Sequence, residues 1–166
     1  ETYKELGDWF YKLVFMDPLA EGRDSLNGNH ANCHLPEVVG VARGHDVTGN
    51  ATLANITAHF HSILGEHYTY ATGGSNVNEH WSSPDQLGDA VQTSIDEHTG
   101  EATNSNGLHT EETCTQYNAL KMLRHLFRWS PSASIADDYE LKLVKGMRGV
   151  QQPGVVGSLS YMTPLG

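Results

Sequence analysis

The sequence predicts an all-α fold, and three observations lead to this class. Apolar residues recur at helical spacing in five segments, proline or glycine stands near the ends of these segments, and no strand–helix alternation of a parallel sheet is present. The 166 residues suffice for one ordinary domain. Two long connections, residues 17–33 and 96–109, are uncommon in simple helical bundles. We therefore expect part of a helical barrel whose long loops converge on a central site.

The first predicted helix covers residues 1–16. Its apolar side chains follow the i, i+3, i+4, i+7, i+8 spacing of one helix face: Leu6, Trp9, Phe10, Leu13 and Val14. We expect Asp17-Pro18 to end this helix, because proline disfavours helical conformation in the residue before it. Residues 19–33 then predict a loop.

Two further helices follow that loop. Pro36 suits the first turn of the second helix, where its missing N–H costs nothing, and Thr48-Gly49-Asn50 ends it. The third helix has one apolar face formed by Leu53, Ile56, Phe60, Ile63 and Leu64. Residues 70–83 are too polar and glycine-rich for a helix and predict a structured loop, and residues 84–95 predict a short helix.

The C-terminal part predicts an insertion and two more helices. Residues 96–109 lack apolar content, which predicts an exposed insertion. The fourth helix covers about residues 114–129, with Tyr117, Leu120, Leu123 and Phe127 on one face, and ends at Ser130-Pro131. The fifth covers about residues 134–148, and residues 158–162 are expected to be extended.

Charge and composition restrict the class of partner. Lys and Arg number 10 and Asp and Glu number 20, so the net charge is −10, which argues against nucleic acid and anionic membranes. No apolar run approaches the roughly 18 residues of a membrane span. Two N-glycosylation tripeptides, at Asn50 and Asn55, suit a secreted protein or the endomembrane lumen. Cys33 and Cys114 could form one disulfide, stay free or bind metal.

Glu112 and Cys114 form a candidate metal site. Thr113 and Gln116 have the spacing of a capping box, which would make Thr113 the N-cap and leave Glu112 outside the helix. Both side chains could then converge at the helix N-terminus, where the thiol pKa is lowered and both groups suit zinc. The alternative is an ordinary acidic first turn followed by a buried cysteine.

Glu79 and two histidines are candidates for chemistry on a substrate. Glu79 follows a glycine-rich loop and precedes His80-Trp81, so an adjacent indole could raise its pKa and make it a general acid. The alternative is a solvated loop acid. His30 and His34 are four residues apart and could bind metal or sugar hydroxyls, or could serve only capping and loop hydrogen bonds.

Five segments together resemble one known family. In chain order they are GNHANCHLPEVVG (28–40), YATGGSNVNEHW (70–81), EETCTQYNALKMLRHLFRW (111–129), DDYELKL (137–143) and SYMTPLG (160–166). They resemble the catalytic domain of the β-L-arabinofuranosidase family of glycoside hydrolases, most closely its plant-type and algal-type members. The resemblance implies an (α/α)6 barrel and a retaining hydrolase of arabinofuranose-containing glycans.

The resemblance also implies residue roles and a zinc cofactor. In these motifs Glu79 matches the general acid/base, Glu112 and Cys114 match two of four zinc ligands, His30 matches a substrate-binding histidine, Tyr161 matches an active-site tyrosine, and Glu140 matches a motif acid with a less defined role. A zinc-held cysteine thiolate would attack the anomeric carbon, and Glu79 would protonate the leaving oxygen and then activate water.

The sequence departs from the family pattern in two places. The family's adjacent cysteine pair, which supplies the nucleophile and the other two zinc ligands, is expected beyond Gly166, and Cys33 stands where the family usually has Thr. We therefore expect residues 1–166 to be a catalytic-domain fragment, incomplete at both ends. It would need the rest of its polypeptide or a larger assembly, and be neither stable nor active alone. The alternatives are a non-catalytic carbohydrate-binding or structural domain of a larger extracellular assembly, and an independent acidic helical domain.

Overall fold

The computed structural model describes residues 2–88, 98–99 and 110–163, and it is helical. The helices are α1 (Thr2–Trp9), α2 (Leu13–Ala20), α3 (Ala31–Thr48), α4 (Ala51–His67), α5 (Thr113–Trp129) and α6 (Ala133–Leu141), followed by a π-helix (Lys142–Arg148). Across the described ranges, extended backbone pairs only in isolated bridges, so the all-α class is confirmed. No helix of these ranges is long and apolar enough to cross a membrane. The helix expected at 84–95 and the insertion expected at 96–109 lie largely outside the described residues.

The core lies between α3, α4 and α5, with α2 packed on α4. The apolar face predicted for α4 is confirmed, because Ile56, Phe60 and Leu64 are buried and Leu53 and Ile63 pack against the core. The face of α5 is rotated from the prediction. Leu120 and Leu123 of the predicted face are buried, but Tyr117 and Phe127 are exposed, and the buried face is completed by Ala119, Met122 and Leu126.

The single helix predicted for residues 1–16 is wrong. The chain breaks between Trp9 and Leu13, and α2 continues through Pro18 to Ala20. All five side chains of the predicted apolar face are exposed, and the core instead receives Phe15, Met16 and Leu19. Packing of these three residues outweighs the local effect of Pro18, which lacks the N–H that would otherwise donate to the carbonyl of the exposed Val14.

Helix α3 begins earlier than predicted. It starts at Ala31 with His30 as its N-cap, so Pro36 lies inside the helix and the loop expected up to residue 33 ends at residue 30. Gly49, at φ 71°, ends α3 in the left-handed conformation, as expected. The fifth predicted helix is present as α6, but its second half is π-helical. The expectation that residues 158–162 are extended is supported by bridges at Leu159 and Met162.

Candidate functional site

Glu79 lies at the tip of a tight turn. Val77 and His80 exchange two backbone hydrogen bonds of 3.0 Å, and the two residues between them have positive φ, 46° at Asn78 and 67° at Glu79. These features define a type I′ turn. Left-handed backbone at a glutamate is strained, and such strain concentrates at functional sites. The turn presents the Glu79 side chain to solvent, and the expected structured loop is confirmed.

The turn is hydrogen-bonded to the start of α3, which places His30 beside Glu79. The N–H of Ala31 donates to the Glu79 carbonyl at 2.8 Å, and the N–H of Trp81 donates to the Asn29 carbonyl at 3.1 Å. His30 Nε2 is consequently 3.5 Å from Glu79 Oε2. The Glu79 side chain is 48% exposed. Trp81 turns into the core, so the neighbour of the Glu79 carboxyl is an imidazole rather than the predicted indole.

Glu112 lies where the C-terminal segment meets the start of α5. The N–H of Thr113 donates to the Tyr161 carbonyl at 3.0 Å, and Glu112 forms a bridge with Met162. The predicted capping box is wrong by one residue, because Glu112 is the N-cap and the Gln116 amide donates to Glu111 at 3.2 Å. Glu112 is nonetheless extended rather than helical, so its side chain can turn toward Cys114.

Three polar side chains meet at this point. Tyr161 Oη donates to Glu112 Oε1 at 2.6 Å and lies 3.0 Å from Cys114 Sγ, and the Cys114 thiol also contacts Glu112 Oε1. Glu112 is 1% exposed. Its second oxygen, Oε2, is buried and has no hydrogen-bond partner among the described residues. The expectation that Glu112 and Cys114 converge with Tyr161 close by therefore agrees with the structure.

The environment of Cys114 favours the protonated thiol. Burial and the neighbouring Glu112 carboxylate raise the pKa of Cys114 to about 11, and hydrogen bonds to Cys114 and Glu112 also raise the pKa of Tyr161. The predicted lowering of the thiol pKa by the helix N-terminus is therefore outweighed.

The two groups of side chains lie on one connected set of loops. Val77 forms a bridge with Thr110. Glu79 follows Val77 by two residues, and Glu112 follows Thr110 by two residues. The loops between helices thus bring His30 and Glu79 together, and separately Glu112, Cys114 and Tyr161.

Glu140 is not brought to either group. It is exposed on α6 and makes no hydrogen bond or ion pair with the described part of the chain. Asp138, two residues earlier in the same DDYELKL motif, is instead held by two side chains. It lies 3.0 Å from His61 Nε2 and 2.8 Å from Lys142 Nζ. Burial opposes ionisation of Asp138, but the hydrogen bonds and charges of His61 and Lys142 give it a lowered pKa.

The remaining candidates are used within the fold. His34 is buried, its Nδ1 lies 2.9 Å from the His30 carbonyl, and its Nε2 lies 2.7 Å from Lys12 Nζ. Both cysteines are free, which excludes a disulfide between Cys33 and Cys114 in this structure. Sequence reasoning missed two buried charged residues, Glu111 and Lys142, which pack against Gly74 and Gly73 respectively. The two consecutive glycines, which permit close packing, were the available signal.

Glycoside hydrolases use carboxyl groups for acid/base chemistry, and the loops between helices carry two such groups here, on Glu79 and Glu112. The family comparison agrees with this class of enzyme. Residues 1–166 match the family model described as β-L-arabinofuranosidase, GH127 catalytic domain, so the chain belongs to this glycoside hydrolase family. The resemblance seen in the sequence motifs is thereby confirmed. A comparison with curated proteins gave no match.

Proposed function

We propose that this chain supplies part of the active site of a retaining, zinc-dependent glycoside hydrolase that acts on arabinofuranose-containing glycans. The observation that carries the proposal is the convergence of Glu112, Cys114 and Tyr161, with Glu112 Oε2 buried and without a partner in the described residues. A buried carboxylate oxygen without a donor is unfavourable. A cation at this point would remove that cost.

Glu112 and Cys114 fit zinc by their chemistry, since carboxylate oxygen and thiolate sulfur are both common zinc ligands. Across the described ranges, no group of three or more His, Cys, Asp or Glu could hold a metal ion, so the two residues are a partial donor set. We propose that the family's cysteine pair, including the nucleophile, comes from outside these 166 residues. Bound zinc would supply the positive charge that keeps thiols ionised at neutral pH.

Glu79 is proposed as the general acid/base. Its carboxyl is half-exposed at the tip of a turn, so it can exchange a proton with the leaving oxygen and later with water. His30 Nε2, at 3.5 Å, can hold the carboxyl or a sugar hydroxyl, and Tyr161 holds the Glu112 carboxylate in place. Glu140 is proposed as a substrate-binding residue on its motif alone.

The proposed partner is a neutral sugar, which agrees with the acidic charge of the chain. We propose a secreted or endomembrane location on the two glycosylation tripeptides. Asn55 is exposed on α4, and Asn50 is exposed as the N-cap of α4, where its side-chain oxygen accepts from the N–H of Thr52 at 3.0 Å. Digestion of the secreted protein with an amidase that removes N-glycans would change its mass if these sites are used.

The function is tested with the full-length protein and 4-nitrophenyl β-L-arabinofuranoside. We expect zinc-dependent hydrolysis, with the first-formed sugar still in the β configuration by NMR, and no hydrolysis of the α-anomer. Removal of zinc by a chelator should abolish the reaction, and added zinc should restore it. Absence of both bound zinc and hydrolysis would contradict the proposal, and sugar binding without turnover would support the non-catalytic alternative.

A further inference from the structure

A buried lysine lies behind the loops that carry the candidate site. Lys142 is 2% exposed, and its Nζ lies 2.8 Å from Asp138 Oδ1 and donates to the Gly73 carbonyl at 3.0 Å. Burying a cation is unfavourable unless it is paired and hydrogen-bonded. Asp138 supplies the pairing and is itself 3.0 Å from His61 Nε2. The arrangement therefore fixes the lysine head group against one backbone carbonyl.

The π-helix connects this lysine to the start of α5. Lys142 is its first residue, and Gly146 packs so closely that a Cβ there would lie 2.5 Å from Gln116 Cγ. Gln116 in turn donates to Glu111 at 3.2 Å. The same π-helical segment thus contacts the loop that leads to Glu79 and, through Gln116, is connected to Glu111, the residue before Glu112. Segments of π-helix occur frequently at functional sites.

The two loops also constrain each other directly. A Cβ on Gly74 would lie 2.7 Å from Glu111 Cβ and 2.9 Å from Glu111 Cα, so no larger residue fits without movement of the backbone. Three residues further on, Val77 forms the bridge with Thr110. Lys142 holds the carbonyl of Gly73, the residue before Gly74. It therefore fixes the first residue of the segment that packs against Thr110 and Glu111.

We propose that Lys142 is a positioning residue for the reaction: by holding the Gly73 carbonyl, it fixes segment 73–77 against residues 110–112 and so sets the place of Glu79 relative to Glu112. This inference rests on the proposed function, since it gives Lys142 a role in placing the general acid/base. Its effect passes through the backbone, because Asp138 and Gly73 are the partners of its head group.

The test compares Lys142→Met with Lys145→Met in the full-length protein. Lys145 is the matched control, since it is exposed and donates to the Ala71 carbonyl of the same loop at 3.3 Å. Each variant is assayed with methyl and with 2,4-dinitrophenyl β-L-arabinofuranoside. Only the methyl leaving group needs a proton, so a displaced general acid slows the first substrate selectively.

For Lys142→Met we expect kcat/KM, which reports the step in which the leaving group departs, to fall about 100-fold with the methyl glycoside and less than about fivefold with the dinitrophenyl glycoside. Lys145→Met should change neither by more than about twofold. Asp138→Asn, which keeps the side-chain size, should give the same selectivity with a smaller loss. Equal losses on both substrates in Lys142→Met and Asp138→Asn would overturn the inference.

Hydrogen exchange supplies a readout that does not depend on activity. The N–H of Gly73 donates to Tyr70, and the N–H groups of Val77 and His80 close the turn that carries Glu79. We expect these amides to exchange at least about 10-fold faster in Lys142→Met than in Lys145→Met. Unchanged protection would overturn the inference. A wild-type protein that hydrolyses neither glycoside would contradict the proposed function instead, while the exchange rates would still show whether Lys142 fixes the segment.

Discussion

A carboxylate that is largely shielded from solvent lies at each end of helix α5 (Thr113–Trp129), but the side chains that contact the two carboxylates differ. At the C-terminal end, Asp46 from α3 accepts from Trp129 Nε1 at 2.7 Å and lies 2.9 Å from His125 Nδ1 and 3.5 Å from Arg128. The Trp129 hydrogen bond, followed by His125 and Arg128, lowers the pKa of Asp46 although its burial opposes this. Asp46 thus has the donors that a buried carboxylate needs.

At the N-terminal end, Glu112 meets a thiol and a phenol, both weak acids. One of its oxygens has no partner in the described ranges, and the pKa values of Cys114 and Tyr161 are raised. A buried carboxylate that only stabilises the fold is expected to be paired as Asp46 is, whereas Glu112 has no cationic partner among the described residues, which agrees with its proposed role as a metal ligand. On the proposed function, the C-terminal end of α5 serves stability and the N-terminal end serves the reaction.

The largest expected effect on kcat concerns Glu79, whose side chain faces solvent, unlike that of the buried Glu112. Glu79→Gln should lower kcat with the methyl glycoside by about 10²–10⁴-fold, because the proton for the leaving oxygen is lost. The melting temperature should stay the same, since the ion pair of Glu79 within the described ranges is a half-exposed contact with His30. The matched control is Glu66→Gln, an exposed acid on α4. Wild-type activity in Glu79→Gln would exclude this residue as the acid/base.

A smaller effect is expected from Tyr161→Phe, which removes the hydroxyl shared with Glu112 and Cys114. We expect kcat to fall about 10-fold, the loss of one hydrogen bond to a charged group. The Tyr161 hydrogen bond lowers the pKa of Cys114, so its removal should shift the pH dependence of Cys114 alkylation in zinc-free protein to higher pH. Tyr117→Phe, at an exposed tyrosine on the same helix, should change neither quantity. Equal alkylation profiles for both variants would argue against the tyrosine–thiol contact.

The smallest effect on activity is expected at the opposite end of α5. Asp46→Asn should lower the free energy of unfolding at pH 7 by about 1–3 kcal/mol, because hydrogen bonds to a charged group are weakened, and should change kcat less than about twofold. The folded-state pKa of Asp46 is lowered, so its stabilisation is present above the unfolded-state pKa of about 3.9 and is lost as pH falls through the folded-state value.

Thermal unfolding of wild type and Asp46→Asn between pH 7 and pH 2 measures this difference. The two curves should approach each other below about pH 4. A difference that persists at low pH, or a loss of activity comparable with that of Glu79→Gln, would show that the two ends of α5 are not separate in role.

The sequence predicted the scaffold where burial and periodicity agree. The face of α4 was predicted correctly because Ile56, Phe60 and Leu64 all pack on one side. The N-terminal helix was predicted wrongly because its regular stripe, including Trp9 and Phe10, is exposed in the structure. Pro36 lies inside α3, which periodicity and turn rules do not reveal, since tertiary packing decides such cases.

The site was predictable only as far as its motifs extend. Spacing was enough to expect Glu112 and Cys114 to meet, although the helix begins one residue earlier than the capping pattern implied. For Lys142 the only signal in the sequence is the Gly73-Gly74 pair, which does not reveal the partner, because the Lys142 side chain binds a carbonyl 69 positions away in the chain. The partner of Glu79 was likewise hidden, since a positive-φ turn and the pairing with α3 place His30 there.

The most direct test is the zinc content of the purified full-length protein and two cysteine variants, measured by elemental analysis. Wild type and Cys33→Ser, which changes an exposed free thiol, should each carry about one zinc per chain, and Cys114→Ser should carry almost none. Glu112→Gln should also lose zinc, while the helical circular dichroism of all variants stays unchanged. Full zinc content in Cys114→Ser, or none in wild type, would contradict the assignment of the N-terminal end of α5 as the metal site.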